Sequence, residues 1–327
     1  AGRRPGHRDV PADLQDGRSH LIESGALPSA LPLLAAAAGL LGLLVGSFLN
    51  VVIYRLPLMM EREWREQCRT LLADGGAAAS TAEADTAAFN LFVPRSACPA
   101  CKAQIKARHN IPLFGWLWLR GRCAACGAAI PLRYPVIEAF SGMVSAYLVW
   151  RFGYTADAAA AVLVSWALIA LTMIDLDHQL LPDSITIPLL WAGLLFHLLA
   201  VPDTLPGPFA ASLADGVIGA ITGYLSLWCV YHGFRLVTGK EGMGYGDFKL
   251  FAALLAWLGY QMFLPILLLS ATTGAITGIA LILLGRHARK EPIPFGPYLA
   301  AAGFSAMVWG EPLLRAVPFL RVFPAAG

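Results

Sequence analysis

The sequence predicts an all-α polytopic integral membrane protein of about eight transmembrane helices. A small cytoplasmic zinc-ribbon-like domain is expected between the first and second. Three observations carry this. Residues of the AVILMFWYC set make up 57% of the 327 positions, only 14% are charged, and the mean hydropathy is +0.62. A soluble domain carries about 25% charged residues, and a globule this poor in charge would leave large apolar patches facing water. Long apolar runs alternate with short polar segments, and four cysteines cluster in one polar loop. Disorder needs low hydrophobicity and high charge, the opposite balance. A net charge of +3 is too small to argue for a nucleic acid partner.

Residues 1–29 read as a flexible tail, with four Arg and four acids among Gly and Pro; the absence of an initiator Met points to a trimmed or processed start. The first transmembrane helix is expected at 30–54, where about 24 apolar residues suffice to cross a hydrocarbon core of roughly 30 Å. A signal peptide is disfavoured because this run is too long and Tyr54-Arg55-Leu56-Pro57, not a small-residue cleavage site, follows it. Residues 55–133 form the one extended polar stretch and hold eleven of the 24 Lys/Arg. Within it, 71–88 is rich in Ala, Gly, Ser, Thr and acids and reads as a flexible connection.

Further spans are expected near 134–150, 158–174, 185–200, 217–236, 248–258, 263–284 and 297–309, within a membrane core of 134–310 followed by a tail at 311–327. Asp157 stands just before its span, where it fits an N-cap. The 248–258 run is too short to cross alone unless flanking residues join it. No internal repeat is found. The positive-inside bias places 55–133 in the cytoplasm. With alternating spans, 175–184 and 237–247 then fall on that same face.

Cys98-Pro-Ala-Cys101 and Cys123-Ala-Ala-Cys126 lie 21 residues apart. Two such knuckles bring four thiolates to one tetrahedral ion, so a structural zinc site is expected, in a subdomain at about 95–130. A domain of about forty residues is too small to hold itself by a core, and metal would supply the folding energy. A redox pair is disfavoured on the reducing side of a membrane. Cys68 and Cys229 are isolated and are given packing roles.

Asp175, Asp177 and Asp183 crowd the segment between two apolar spans, and Gly242-Met243-Gly244-Tyr245-Gly246-Asp247 leads into a third. An ionised Asp at bilayer depth costs about 3 kcal/mol on insertion scales, which makes each one a functional candidate. Any of them also fits a helix cap or first-turn acid. The glycines do not follow the spacing of a nucleotide-binding loop. They favour a close backbone approach to a partner or substrate strand. Two aspartates from different helices on one face suit a dyad sharing one proton, with one carboxylate activating water. A proton-coupled carrier would use the same carboxylates, but with an internal repeat and broken helices near mid-membrane.

Gly46-Ser47-Phe48-Leu49-Asn50 through Tyr54-Arg55-Leu56-Pro57, the paired knuckles, Asp175 to Leu181-Pro182-Asp183, Gly244-Tyr245-Gly246-Asp247 and Ile293-Pro294-Phe295-Gly296-Pro297-Tyr298 occur in that order. Together they resemble the bacterial type IV prepilin peptidases, G-x-G-D intramembrane aspartyl proteases, over roughly residues 30–310. The resemblance implies that Asp175 and Asp247 are the catalytic pair, supported by Asp177, Asp183, Gly244, Gly246 and Glu138. It implies zinc on Cys98, Cys101, Cys123 and Cys126. It further implies prepilin and type II secretion pseudopilin substrates in a bacterial inner membrane, cut at the cytoplasmic face after a short basic leader. The new amine would then be methylated with S-adenosylmethionine. No Rossmann-type fingerprint marks a methyl-donor site. Glu61, Glu63, Glu66 and Glu138 are acids available to a basic leader, and Glu138 would meet either the substrate amine or a neighbouring helix. The alternative is an intramembrane aspartyl peptidase without methylation. The 201–216 loop looks longer than the family's.

Overall fold

The computed structural model describes residues 26–74, 89–199, 207–209, 211–284 and 293–316. The chain is all-helical there, with two isolated antiparallel bridges in place of any sheet. The helices are α1 (Ala26–Asp74), a short α2 (Phe114–Trp118), α3 (Arg133–Phe152), α4 (Ala156–His178), α5 (Asp183–Leu199), α6 (Leu213–Thr238), α7 (Tyr245–Leu258), α8 (Phe263–Leu283) and α9 (Gly296–Ala316). Among the described residues, Ala30–Leu72, Ala156–His178, Leu213–Thr238 and Tyr260–Leu283 are long and apolar enough to cross a membrane.

The first helix does not stop at 54. It continues to Asp74, because the sequence after Pro57 changes polarity without losing helix formers. Exposed pairs Arg65–Glu61 at 2.6 Å and Arg69–Glu66 at 3.6 Å lie one turn apart on this polar extension. Loss of hydropathy thus ends the membrane run but not the helix. The rest of the expected flexible connection, 75–88, lies outside the described residues, as do 201–206 and 210 of the 201–216 loop. Within its apolar part α1 packs on α3 along a seam of small residues. A Cβ added at Gly42 would sit 2.5 Å from Ser145 Oγ, and one at Gly46 2.8 Å from the Glu138 Cα, so the two backbones touch.

Thr155, not Asp157, caps α4: its side chain accepts the Ala158 N–H at 3.0 Å, and Asp157 stands in the first turn. At the other end Gln179 adopts the left-handed conformation (φ 52°), and its N–H donates to the Asp175 carbonyl. The chain then reverses over four residues into α5.

Helix α7 explains how a short run serves a membrane fold. Phe248 and every residue from Leu250 to Leu258 are buried, so the helix is enclosed by protein rather than exposed to lipid. Fourteen residues rise only about 21 Å. Its neighbours α5, α6 and α9 supply the apolar surroundings. Phe248, Phe251, Leu254 and Leu255 form the centre of the core with Leu148, Leu171, Ile266 and Leu299. The last helix kinks at Trp309 (φ −126°, ψ 32°), three residues before Pro312. Proline lacks an N–H and its ring clashes with the carbonyl four residues earlier, which breaks the helix there.

Candidate active site

Asp175 lies in the last turn of α4, is 5% exposed, and accepts the Gly296 N–H on Oδ2 at 3.0 Å. Asp247 lies in the first turn of α7, is 6% exposed, and accepts the Gly244 N–H on Oδ2 at 3.2 Å. Asp175 and the turn that carries Asp247 both lie against Leu181, so helix ends 72 positions apart in sequence bring two buried carboxylates to one place. Asp247 is at once a cap and a candidate reactive group. Its carboxylate satisfies the backbone of the Gly244 N-cap, but a glycine returns no side-chain bond, and the second oxygen stays available.

Leu181 holds these parts together. An added Cβ at Gly246 would meet the Leu181 Cβ at 2.6 Å, and one at Gly296 would meet Asp175 Oδ2 at 2.6 Å and Leu181 Cδ1 at 3.2 Å. The glycine before Asp247 therefore permits a close approach within the chain, to the α4–α5 turn. Gly296 is the site residue that composition and spacing miss. Its signal is the Pro294-Phe295-Gly296-Pro297 motif, where a glycine opens a helix against a carboxylate. Gly246→Val is expected to lower activity by about five- to a hundredfold, since overpacking of about 1–3 kcal/mol falls directly on the dyad; an initial-rate assay checks it.

The other two aspartates stand outside the pair. Asp177 is bridged to Arg133 of α3 at 2.6 Å, and both Asp183 oxygens accept from Lys249 Nζ at 2.7 Å. These partly exposed ion pairs fasten α4 to α3 and α5 to α7 at the same end of the bundle. Each is worth roughly 0–1 kcal/mol. Lys249→Met is therefore expected to leave most of the activity and to lower the melting temperature by only a few degrees, checked by thermal denaturation in detergent.

Glu138 finds the neighbour it lacked in the sequence. It is buried in α3 and accepts the Leu113 N–H at 2.8 Å, which links the membrane core to the cysteine subdomain. A second link is Arg55, buried in α1, whose Nη1 and Nη2 donate to the carbonyls of Asn90 (2.9 Å) and Pro94 (2.6 Å). Glu61 and Glu66 are already engaged with arginines of their own helix. Cys68 and Cys229, expected to pack, are exposed.

The two knuckles are the same turn used twice. Cys98 donates to the Ala103 carbonyl and Lys102 to the Cys98 carbonyl; Cys123 donates to Ala128 and Gly127 to Cys123, all at 2.8–2.9 Å. Lys102 and Gly127 share the left-handed backbone this turn requires (φ 59° and 73°). The four Sγ atoms lie within 4.8 Å of one another, and Cys98 and Cys126 are 3.9 Å apart. Tetrahedral Zn–S bonds of about 2.3 Å set sulfur atoms about 3.8 Å apart, so the cluster fits zinc. The Cys101 and Ala100 N–H groups pull the Cys98 thiol down to about 6. Although Ala128 favours its thiolate, Cys126 is pushed up to about 11 by crowding with Cys101, burial and the remaining thiols. Four thiolates in one cluster need a cation to coexist.

An apolar groove of about 370 Å³ runs between α3, α4 and α9 beside Asp175. It offers one guanidinium and no carboxylate, which does not suit a sulfonium-bearing methyl donor.

Fold and site define a class: a polytopic membrane peptidase with paired carboxylates at helix ends. Known proteins agree. The Bacterial Peptidase A24 N-terminal domain matches residues 40–152, and the Type IV leader peptidase family matches residues 162–279. A protein of Stutzerimonas stutzeri named prepilin leader peptidase/N-methyltransferase is 52% identical over 271 residues, 83% of this chain and 89% of its own. Proteins of the same name from Pseudomonas aeruginosa (49%, covering 84% and 90%) and Burkholderia pseudomallei (46%, covering 89% and 90%) are also similar. No solved structure matches the chain. The chain belongs to the type IV leader peptidase family.

Proposed function

We propose that this enzyme, which cleaves the leader of type IV prepilins and methylates the new N terminus, cuts the peptide bond with Asp175 and Asp247. The observation that carries the assignment is the meeting of two buried carboxylates from different helices, each steadied by one backbone N–H and each with an oxygen to spare. Two buried carboxylates at one site share a proton, since like charges a few Å apart cannot both ionise. The ionised carboxylate takes a proton from water as its oxygen attacks the scissile carbonyl. The protonated partner donates to the carbonyl oxygen, giving a tetrahedral gem-diol. Collapse breaks the C–N bond, with a proton passing to the leaving amine and a carboxyl group left on the leader. Gly296 and Gly244 orient the carboxylates throughout.

Cys98, Cys101, Cys123 and Cys126 hold structural zinc, which cross-links the cytoplasmic subdomain. Glu138 and Arg55 dock that subdomain on the membrane core. Eight spans in the bacterial inner membrane, with the dyad at the cytoplasmic face, follow from the helix alternation and from the basic residues gathered at that face. Pseudopilins are substrates of the same chemical kind. S-adenosylmethionine supplies the methyl group.

Purified protein in liposomes, given a prepilin and methyl-labelled S-adenosylmethionine, is expected to release the leader and to label the new terminal amine. Leader release without label would remove the methyltransferase half of this reading.

A further inference from the structure

The groove beside Asp175 has no part in the chemistry above. Thr172 and Met173 line it, and they lie in the turn of α4 immediately before Asp175. On α9 its lining begins with Pro297, the residue after the Gly296 whose N–H holds that carboxylate. One groove wall is thus continuous with each of the two elements that position Asp175. Along α3 the lining runs from Arg133 to Val144, a rise of about 16 Å, or roughly three helical turns. Ser165, Ala300, Ala301 and Ser305 are its small residues, and Phe140 and Phe304 its aromatic ones. At the catalytic end stands Arg133, already engaged with Asp177 and the Met173 carbonyl.

Resting on the peptidase reading, we infer that this groove seats an apolar helical segment of the substrate, on the side of the scissile bond away from the basic leader. With no carboxylate in its lining, the groove does not suit a basic leader, and its apolar walls fit an apolar segment on the other side of the cleavage point. A peptide segment at bilayer depth must satisfy its own N–H and C=O groups and so enters as a helix. Small residues on α4 and α9 let that helix approach closely. The helix ends where the groove ends, beside Asp175, and there the backbone must leave helical geometry to present its carbonyl to the dyad. The groove thus sets the depth at which the chain is cut.

Two arms test this. A benzophenone amino acid replacing Ala301 is expected to cross-link to the apolar segment of a membrane-inserted prepilin. The same group at Ile276, which is 67% exposed on α8, serves as the control. Cross-links to lipid alone, or equal yields at both positions, overturn the proposal. In the second arm Ala301→Phe narrows the groove. It should raise KM for the full prepilin about tenfold, equivalent to about 1.4 kcal/mol, with kcat little changed. A short peptide spanning the cleavage point without the apolar segment should be cut as before. Unchanged KM for the full prepilin, or equal loss on both substrates, counts against the groove. The cross-linking arm stands even if this variant folds poorly. Wild type that cleaves neither substrate would instead overturn the peptidase reading itself.

Discussion

Asp175→Asn and Asp247→Asn, made singly, are each expected to reduce prepilin cleavage about a thousandfold or more, within the usual range for losing a general acid or base. Asparagine keeps an oxygen for the Gly296 or Gly244 N–H, and it fills the same volume at two positions that are almost fully buried. The fold should therefore persist, with a melting temperature at or above that of wild type, since a buried carboxylate pair gives way to a neutral group. Loss of activity without loss of fold separates chemistry from architecture. Cleavage surviving in both variants would falsify the dyad. The paired control is Asp183→Asn, which removes a partly exposed partner of Lys249 and should keep most of the wild-type rate.

Replacing Cys98 and Cys123 together by Ser is the second large effect. Each knuckle loses one thiolate, and about one zinc per chain should disappear on metal analysis. Structural zinc contributes an apparent 10–16 kcal/mol of binding energy in small domains, far more than residues 95–130 gain from a core of their own. Among these residues only Cys98, Pro112, Gly115 and Gly121 are buried. The subdomain should become protease-sensitive while the transmembrane helices stay folded, because the core from Leu148 to Leu299 does not depend on it. Zinc content equal to wild type in the double variant would refute the metal assignment. Glu138→Ala, which takes only the acceptor for the Leu113 N–H, should loosen the subdomain by about 1–3 kcal/mol without releasing metal.

Much of this was legible in the sequence because charge is scarce. In a chain so apolar, Asp175, Asp177, Asp183 and Asp247 all stood out on the cost of insertion, the family resemblance alone singled out Asp175 and Asp247, and the two C-x-x-C pairs marked their cluster by spacing. The helix positions followed from hydropathy within a few residues for α3, α4 and α8. Hydropathy could not place the end of α1, since helix propensity and membrane affinity part company after Pro57. Nor could it tell a lipid-facing span from the enclosed α7, because both read as apolar. The role of Gly296 was hidden for a different reason: a backbone N–H donates to Asp175, and every residue but proline carries one. The partners of Asp177, Asp183 and Glu138 were likewise set by tertiary packing, which pairs residues 25 to 66 positions apart.

The enclosure of α7 has a consequence for biosynthesis. A helix of about 21 Å cannot cross a core of roughly 30 Å unaided, so it settles only after neighbouring helices surround it. One of those neighbours, α9, is synthesised after both aspartates, and it brings the N–H that orients Asp175. A nascent chain ending at Leu284 already contains both aspartates yet should show no peptidase activity. Proteolytic competence thus waits for α9, and a chain still short of that helix poses no hazard to the membrane in which it is being built.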